Sequence, residues 1–128
     1  MYYFTKTLKN ITFYEAIEKV THDLKSEGFG VLTTIDLKST FKNKLDVDFY
    51  NYTILGACNP QFAYKALTAE DKIGTMLPCN VIVQEKEFGK IEISAVNPIA
   101  SMQAVKNKSL STIAINVSNK LKKVIDNL

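Results

Sequence analysis

Residues 81–96 have the sequence VIVQEKEFGKIEISAV, in which two strand-forming segments flank a charged stretch and a turn at Phe88-Gly89. β-branched residues dominate positions 81–83 and recur at 91–96, and glycine favours tight turns. The pattern predicts a β-hairpin, so two neighbouring strands run antiparallel. A hairpin at this point in the chain favours an α+β fold over a doubly wound parallel sheet.

Three segments upstream of the hairpin also predict strands. Residues 2–8 mix aromatic residues with threonine, and residues 29–37 alternate apolar and polar side chains with a period of two. Residues 50–58, with the sequence YNYTILGAC, are rich in strand formers. The predicted sheet therefore draws on five segments.

Helices are predicted between these strands. Thr12 and Glu15 form a capping-box pattern that starts a helix ending at Gly28. A short helical turn is expected from Ser39 or Thr40 to residue 45. Asn59-Pro60 supplies a helix cap and a first-turn proline, and that helix should end by Gly74.

The final helix, from about Ser109, gives the strongest periodic signal in the chain. Its apolar residues share one face up to the last residue: Leu110, Ile113, Ala114, Val117, Leu121, Val124, Ile125 and Leu128. We expect this helix to dock on the sheet, and because its stripe does not taper, we expect a closed homodimer. The fold prediction is one α+β domain over residues 1–128, with one mainly antiparallel sheet and helices packed on one face.

Composition excludes several functional classes. The chain is 46% hydrophobic and 23% charged, as in ordinary globular domains, which argues against disorder. Its formal charge is +3, and all 16 basic residues are lysines. Because arginine is the usual bidentate reader of phosphate and guanine, nucleic acid is not an expected partner.

The sequence also argues against a membrane or secreted location. It has no run of about 18 apolar residues that would span a bilayer. Its opening residues, MYYFTK, lack the basic and apolar regions of a secretory signal. A cytoplasmic chain with both cysteines as free thiols is the expectation.

The two cysteines occupy related settings, Cys58-Asn59-Pro60 and Pro78-Cys79-Asn80, each at a strand end. A helix beginning at Pro60 would favour a thiolate at Cys58. The alternative is that both cysteines are small buried side chains that only pack. The cofactor is unknown, and no metal is expected, because two cysteines and His22, predicted to be exposed, are too few ligands.

Together these residues resemble a known family. The segments ILGACNP (54–60), LPCNV (77–81) and Asn97-Pro98 are similar to those of the prokaryotic family called domain of unknown function 302. The resemblance covers the chain from its first helix to its last. It implies a small α+β domain and a homodimer, and it carries no established activity. Asn51 stands where the family pattern has proline, which concerns only the start of the third strand.

Two functional hypotheses follow. In the first, Cys58, Asn59, Cys79 and Asn80 line one pocket that binds a small molecule or acts through its thiols. In the second, the chain is a non-catalytic structural or interaction domain and both cysteines are packing residues. Antiparallel strands would bring the cysteines to one end of the sheet, whereas parallel strands would place them at opposite ends. The short, interrupted helix between them favours the antiparallel arrangement.

Overall fold

A computed structural model describes residues 1–128 and contains five strands and five α-helices. In chain order the elements are β1 (Tyr3–Leu8), α1 (Phe13–Ser26), β2 (Gly30–Asp36), α2 (Leu37–Leu45), β3 (Asn51–Cys58), α3 (Pro60–Ala69), a 3-10 helix (Asp71–Met76), β4 (Cys79–Glu87), β5 (Lys90–Val96), α4 (Pro98–Ser101) and α5 (Lys108–Asp126).

The five strands form one sheet in the order β1-β5-β4-β3-β2, and every neighbouring pair is antiparallel. The β4–β5 hairpin turns at Phe88-Gly89, as the sequence predicts, and Gly89 has a φ of 86°. β1 and β2 are the two edge strands. The predicted α+β class with a mainly antiparallel sheet is confirmed.

One face of the sheet forms the core with α1 and α5. Val20 and Leu24 of α1 and Leu121 of α5 are fully buried against Val81 and Ile93 of the central strands. The predicted capping box holds the start of α1: the Glu15 N–H donates to Thr12 Oγ1 at 3.1 Å, and the Thr12 N–H donates to Glu15 Oε1 at 3.0 Å. His22, on the opposite side of α1, is exposed, as predicted.

Several boundaries differ from the sequence prediction. α2 begins at Leu37 because the Asp36 carboxylate accepts the Ser39 N–H at 3.0 Å and caps the helix earlier than expected. Asp36 therefore ends β2. α3 stops at Ala69, and the 3-10 helix continues past Gly74, where the sequence predicted an end. α4, after Asn97, was not predicted.

α5 docks on the sheet, as predicted. Its apolar stripe is buried from Leu110 to Ile125, and Leu128 lies just beyond the helix, packed against the core. The Asn107 side chain caps the helix by accepting the Ser109 N–H at 3.0 Å. The apolar stripe of α5 is thus buried within the chain itself. No helix has the length and hydrophobicity that crossing a membrane requires.

Gly56 in β3 provides a stability test. A Cβ at this position would press on Thr33 Oγ1 and lie 2.9 Å from Pro78 Cγ, whereas a Cβ at Gly30 in β2 would meet nothing within 4 Å. Gly56→Ala should lower the free energy of unfolding by about 1–2 kcal/mol, because overpacking displaces neighbours. Urea denaturation measures the change. Gly30→Ala is the control and should cost less than about 0.5 kcal/mol; equal effects would contradict the packing described.

Candidate functional site

Cys58 and Cys79 lie at the same end of the sheet. β3 and β4 pair antiparallel, with Ala57 opposite Cys79. Directly paired Cα atoms in such strands are about 5 Å apart, and consecutive Cα atoms are about 3.8 Å apart. The Cα atoms of the two cysteines therefore lie within roughly 9 Å of each other. The predicted antiparallel pairing is confirmed.

Both cysteines line a cavity of about 340 Å³ between α3, α5 and the ends of β2, β3 and β4. This volume is within the range of small-molecule sites. Fourteen of the 19 lining residues are hydrophobic and none is charged. The cavity is therefore suited to an uncharged ligand.

Short side chains create this space. Ala63 and Ala66 of α3 and Ala114 of α5 all line the cavity, on helices that pack against each other. Leu32 of β2 and Leu67 of α3 also line the cavity, although 70% and 43% of their surface is exposed. The cavity thus reaches the surface beside the edge strand.

The Cys79 thiol is held in its protonated form. Burial, and to a smaller extent the neighbouring Cys58, raises the pKa of Cys79 to about 11. Near neutral pH the thiolate needed for nucleophilic chemistry is therefore scarce at this residue. Cys79 therefore lines the cavity as a neutral, polarisable side chain.

Asn59 lines the cavity but does not cap α3 with its side chain, which corrects the sequence prediction. Its Nδ2 donates instead to the carbonyl oxygen of Glu27 at 3.4 Å, which ties the start of α3 to the end of α1. Pro60 is the first residue of α3, as predicted. The Asn59 side chain thus bonds to the end of α1 and does not cap its own helix.

Asn80 is not among the residues that line this cavity. It lies on β4 one residue after Cys79, so its side chain is on the other face of the sheet. There it lines a separate cavity of about 390 Å³, together with Tyr52, Gln84 and Ser94. The structure brings together Cys58, Asn59 and Cys79 and leaves Asn80 apart.

The aromatic residues near Cys58 also divide between the two faces. Phe62 lines the cavity, whereas Tyr64 is 75% exposed. Tyr50 stacks on Phe49 with ring centroids 4.1 Å apart, and Tyr52 belongs to the opposite face. Of these aromatic residues near Cys58, only Phe62 lines the cavity, and Phe29, just before β2, is the other aromatic residue in its wall.

Sequence reasoning missed the wall that α4 and α5 supply. Met102, Ile113 and Val117 line the cavity more than 20 residues after Cys79. The helical periodicity of α5 predicted that Ile113 and Val117 face inward, but no local signal connects these residues or Met102 to the cysteines. No group of three or more histidine, cysteine, aspartate or glutamate side chains is placed to hold a metal ion.

Comparisons with known proteins agree with this architecture. A family model described as "Domain of unknown function DUF302" matches residues 4–128. The crystal structure of an uncharacterised conserved DUF302 protein from Bacillus stearothermophilus is similar, with a TM-score of 0.88 and 30% sequence identity. The similarity covers 98% of this chain and 97% of that one. No curated protein matches the sequence.

Proposed function

The chain belongs to the DUF302 family, whose description assigns no activity, and we propose that it is a binding module for an uncharged small molecule. The observation that carries the proposal is the apolar cavity of about 340 Å³, which opens between α3 and the edge of the sheet. Cys58, Asn59 and Cys79 form its wall at the sheet end.

Ligand binding is better supported than thiol chemistry. Cys79 has a raised pKa and is a poor nucleophile near neutral pH. The only histidine, His22, is on the exposed side of α1, so no histidine is available to activate Cys58. The thiols therefore shape the cavity in this proposal.

The test is a titration with N-phenyl-1-naphthylamine, a neutral probe whose fluorescence rises in apolar sites. The native chain should bind it, and Ala63→Phe, which places a benzyl group in the cavity, should weaken binding by at least about tenfold. Ala69→Phe is the matched control, because Ala69 is on the same helix and exposed. Its affinity should equal that of the native chain.

Two results would reject the proposal. One is the absence of probe binding to the native chain, and the other is equal affinity in Ala63→Phe and native protein. In either case the non-catalytic structural function would be favoured. A thiol reagent adds an independent check: protection of both thiols in the native fold but not in denaturant would also favour packing.

We further propose a homodimer that forms through β2. This edge strand pairs only with β3, and its apolar residues Leu32 and Ile35 are 70% and 45% exposed. Unpaired strand edges of this kind are sites of association. A two-fold axis across β2 would pair the strand with its copy along this edge.

Light scattering tests the dimer. The native chain should have twice the mass of one chain at micromolar concentration, and Ile35→Lys should have the mass of one chain. Leu45→Lys, at an exposed position of α2, is the control and should remain dimeric. A native chain that is monomeric would refute the dimer.

A further inference from the structure

The face of the sheet opposite α1 and α5 carries the second cavity, of about 390 Å³. No helix contributes to its wall, because its lining residues lie on β1, β3, β4 and β5 or immediately before β1. Strand register assembles the wall, since residues directly opposite each other share one face of the sheet. Gln84 of β4 lies between Tyr52 and Glu92 in this way, and Ile82 lies opposite Ser94.

Gln84 presents an unsatisfied acceptor to this cavity. The residue is only 7% exposed, and its Nε2 donates to Tyr50 Oη at 3.3 Å. The other amide atom, Oε1, accepts no hydrogen bond within the chain and is not sealed inside the protein, so it opens into the cavity. Leaving a largely buried acceptor without a partner costs stability. A ligand that donates a hydrogen bond at this point would recover that loss.

Glu92 provides a second acceptor beside the first. It is directly opposite Gln84 on β5, and the Cβ atoms of such a pair are about 5 Å apart. Its carboxylate is partly buried and makes no ion pair in the chain, since Lys90 of the same strand pairs with Glu87 at 3.0 Å. Two acceptors at this spacing match two neighbouring hydroxyl groups of one ligand.

The charges in the wall cancel. Lys86 and Glu92 are the two charged residues that line the cavity, so it offers no net attraction to an anion or to a cation. The amides of Asn80 and Gln84 can each donate and accept hydrogen bonds. The cavity therefore suits a neutral ligand that carries several hydroxyl groups, which also donate and accept.

The cavity also has apolar surface between its polar groups. Ile82 lies between Asn80 and Gln84 on the same face of β4. The rings of Tyr3 on β1 and Tyr52 on β3 lie to either side of the two central strands. A pyranose ring has the matching arrangement, with C–H groups on its faces and hydroxyl groups around its edge.

We infer that the second cavity is a binding site for a neutral pyranose sugar. Neighbouring hydroxyl groups of the sugar donate to Gln84 Oε1 and to the Glu92 carboxylate, and a C–H face of the ring packs on Ile82. This site is independent of the cavity between α3 and α5, because it lies on the other face of the sheet and takes a hydrophilic ligand.

Isothermal titration calorimetry with the methyl glycosides of glucose, galactose and mannose tests the ligand class. At least one of these neutral sugars should bind with a Kd of about 1 mM or tighter, as expected for a ligand of this size. Glucuronate and glucosamine should bind more weakly than that glycoside, because each meets a like charge in the wall. No binding of any glycoside at about 10 mM would overturn the inference. Tighter binding of either charged sugar than of every glycoside would overturn it too.

The placement of the hydroxyl groups is tested with Glu92→Ala. Loss of a hydrogen bond to a charged acceptor should weaken the glycoside by at least about tenfold. Glu87→Ala is the matched control, because Glu87 is on the same hairpin, is exposed and does not line the cavity. Its affinity should equal that of the native chain, and equal affinity in Glu92→Ala would overturn the placement.

Gln84→Met provides a second test, because it keeps the length of the side chain and removes both amide atoms. The glycoside should bind about three- to tenfold more weakly, the range of one neutral hydrogen bond. Gln61→Met, at an exposed position of α3, is its control and should bind the glycoside as the native chain does. Urea denaturation shows that each variant is folded. An unchanged glycoside affinity in folded Gln84→Met would contradict the hydrogen bond to Oε1.

Discussion

Leu121→Ala should lower the free energy of unfolding by about 3–4 kcal/mol, because it removes a fully buried side chain from the centre of the core. Leu121 of α5 packs in one cluster with Leu24 of α1 and with Val83 and Ile93 of the sheet. The substitution loses the transfer free energy of the deleted atoms and leaves a void that rigid neighbours fill only in part.

Urea denaturation followed by circular dichroism measures this loss. The control is Leu45→Ala on α2, where the side chain is 66% exposed, and it should cost less than about 0.5 kcal/mol. A loss below about 1 kcal/mol at Leu121 would show that α5 does not anchor the core.

Raising the pH from 9 to 11 should cost about 2 kcal/mol of stability through Cys79 alone. Burial raises the pKa of this thiol from 9.0 to about 11, so the folded chain holds the proton more tightly than the unfolded chain does. The stabilisation is complete below the unfolded pKa and is lost as the pH rises through the folded pKa. Stability should therefore fall across this window.

Cys79→Ala isolates this contribution, because lysines and tyrosines that titrate in the same window remain in both proteins. From pH 9 to pH 11, the unfolding free energy of the native chain should fall by about 2 kcal/mol more than that of the variant. A difference that stays constant with pH would show that Cys79 is not buried as a neutral thiol.

The fold was predictable where one pattern persisted over many residues. The apolar stripe of α5 and the hairpin at residues 81–96 were both clear in the sequence, and the structure contains both. Neighbouring strands joined by a short, interrupted helix also predicted that Cys58 and Cys79 share one end of the sheet. These features depend on local periodicity and on the length of the segment that joins two strands.

The site was predictable only in part, because it depends on strand register. The sequence prediction placed Cys79 at the start of a strand and put the next residue, Asn80, in the same pocket. In the structure β4 begins at Cys79, and the two-residue period places Cys79 and Asn80 on opposite faces. Because Asn80 belongs to the strand and not to the loop before it, its amide lines the second cavity.

The cavity itself could not be predicted from any segment. It is lined by Ala63 and Ala66 of α3 and by Ala114 of α5, and in the sequence these helices are separated by the whole β4–β5 hairpin. In sequence these alanines are ordinary helix-forming residues. Only the packing of α3 against α5 shows that their small size leaves a space.

Chemical-shift mapping tests the central claim, that the cavity between α3, α5 and the sheet binds an uncharged molecule, most directly. N-phenyl-1-naphthylamine is added to the labelled chain, and shifts in backbone amide resonances are located by residue. We predict that the largest shifts occur at Phe62, Ala63, Cys79 and Ala114, which line the cavity. Shifts confined to the opposite face, at Tyr52 and Gln84, or no shifts at saturating probe, would contradict the account.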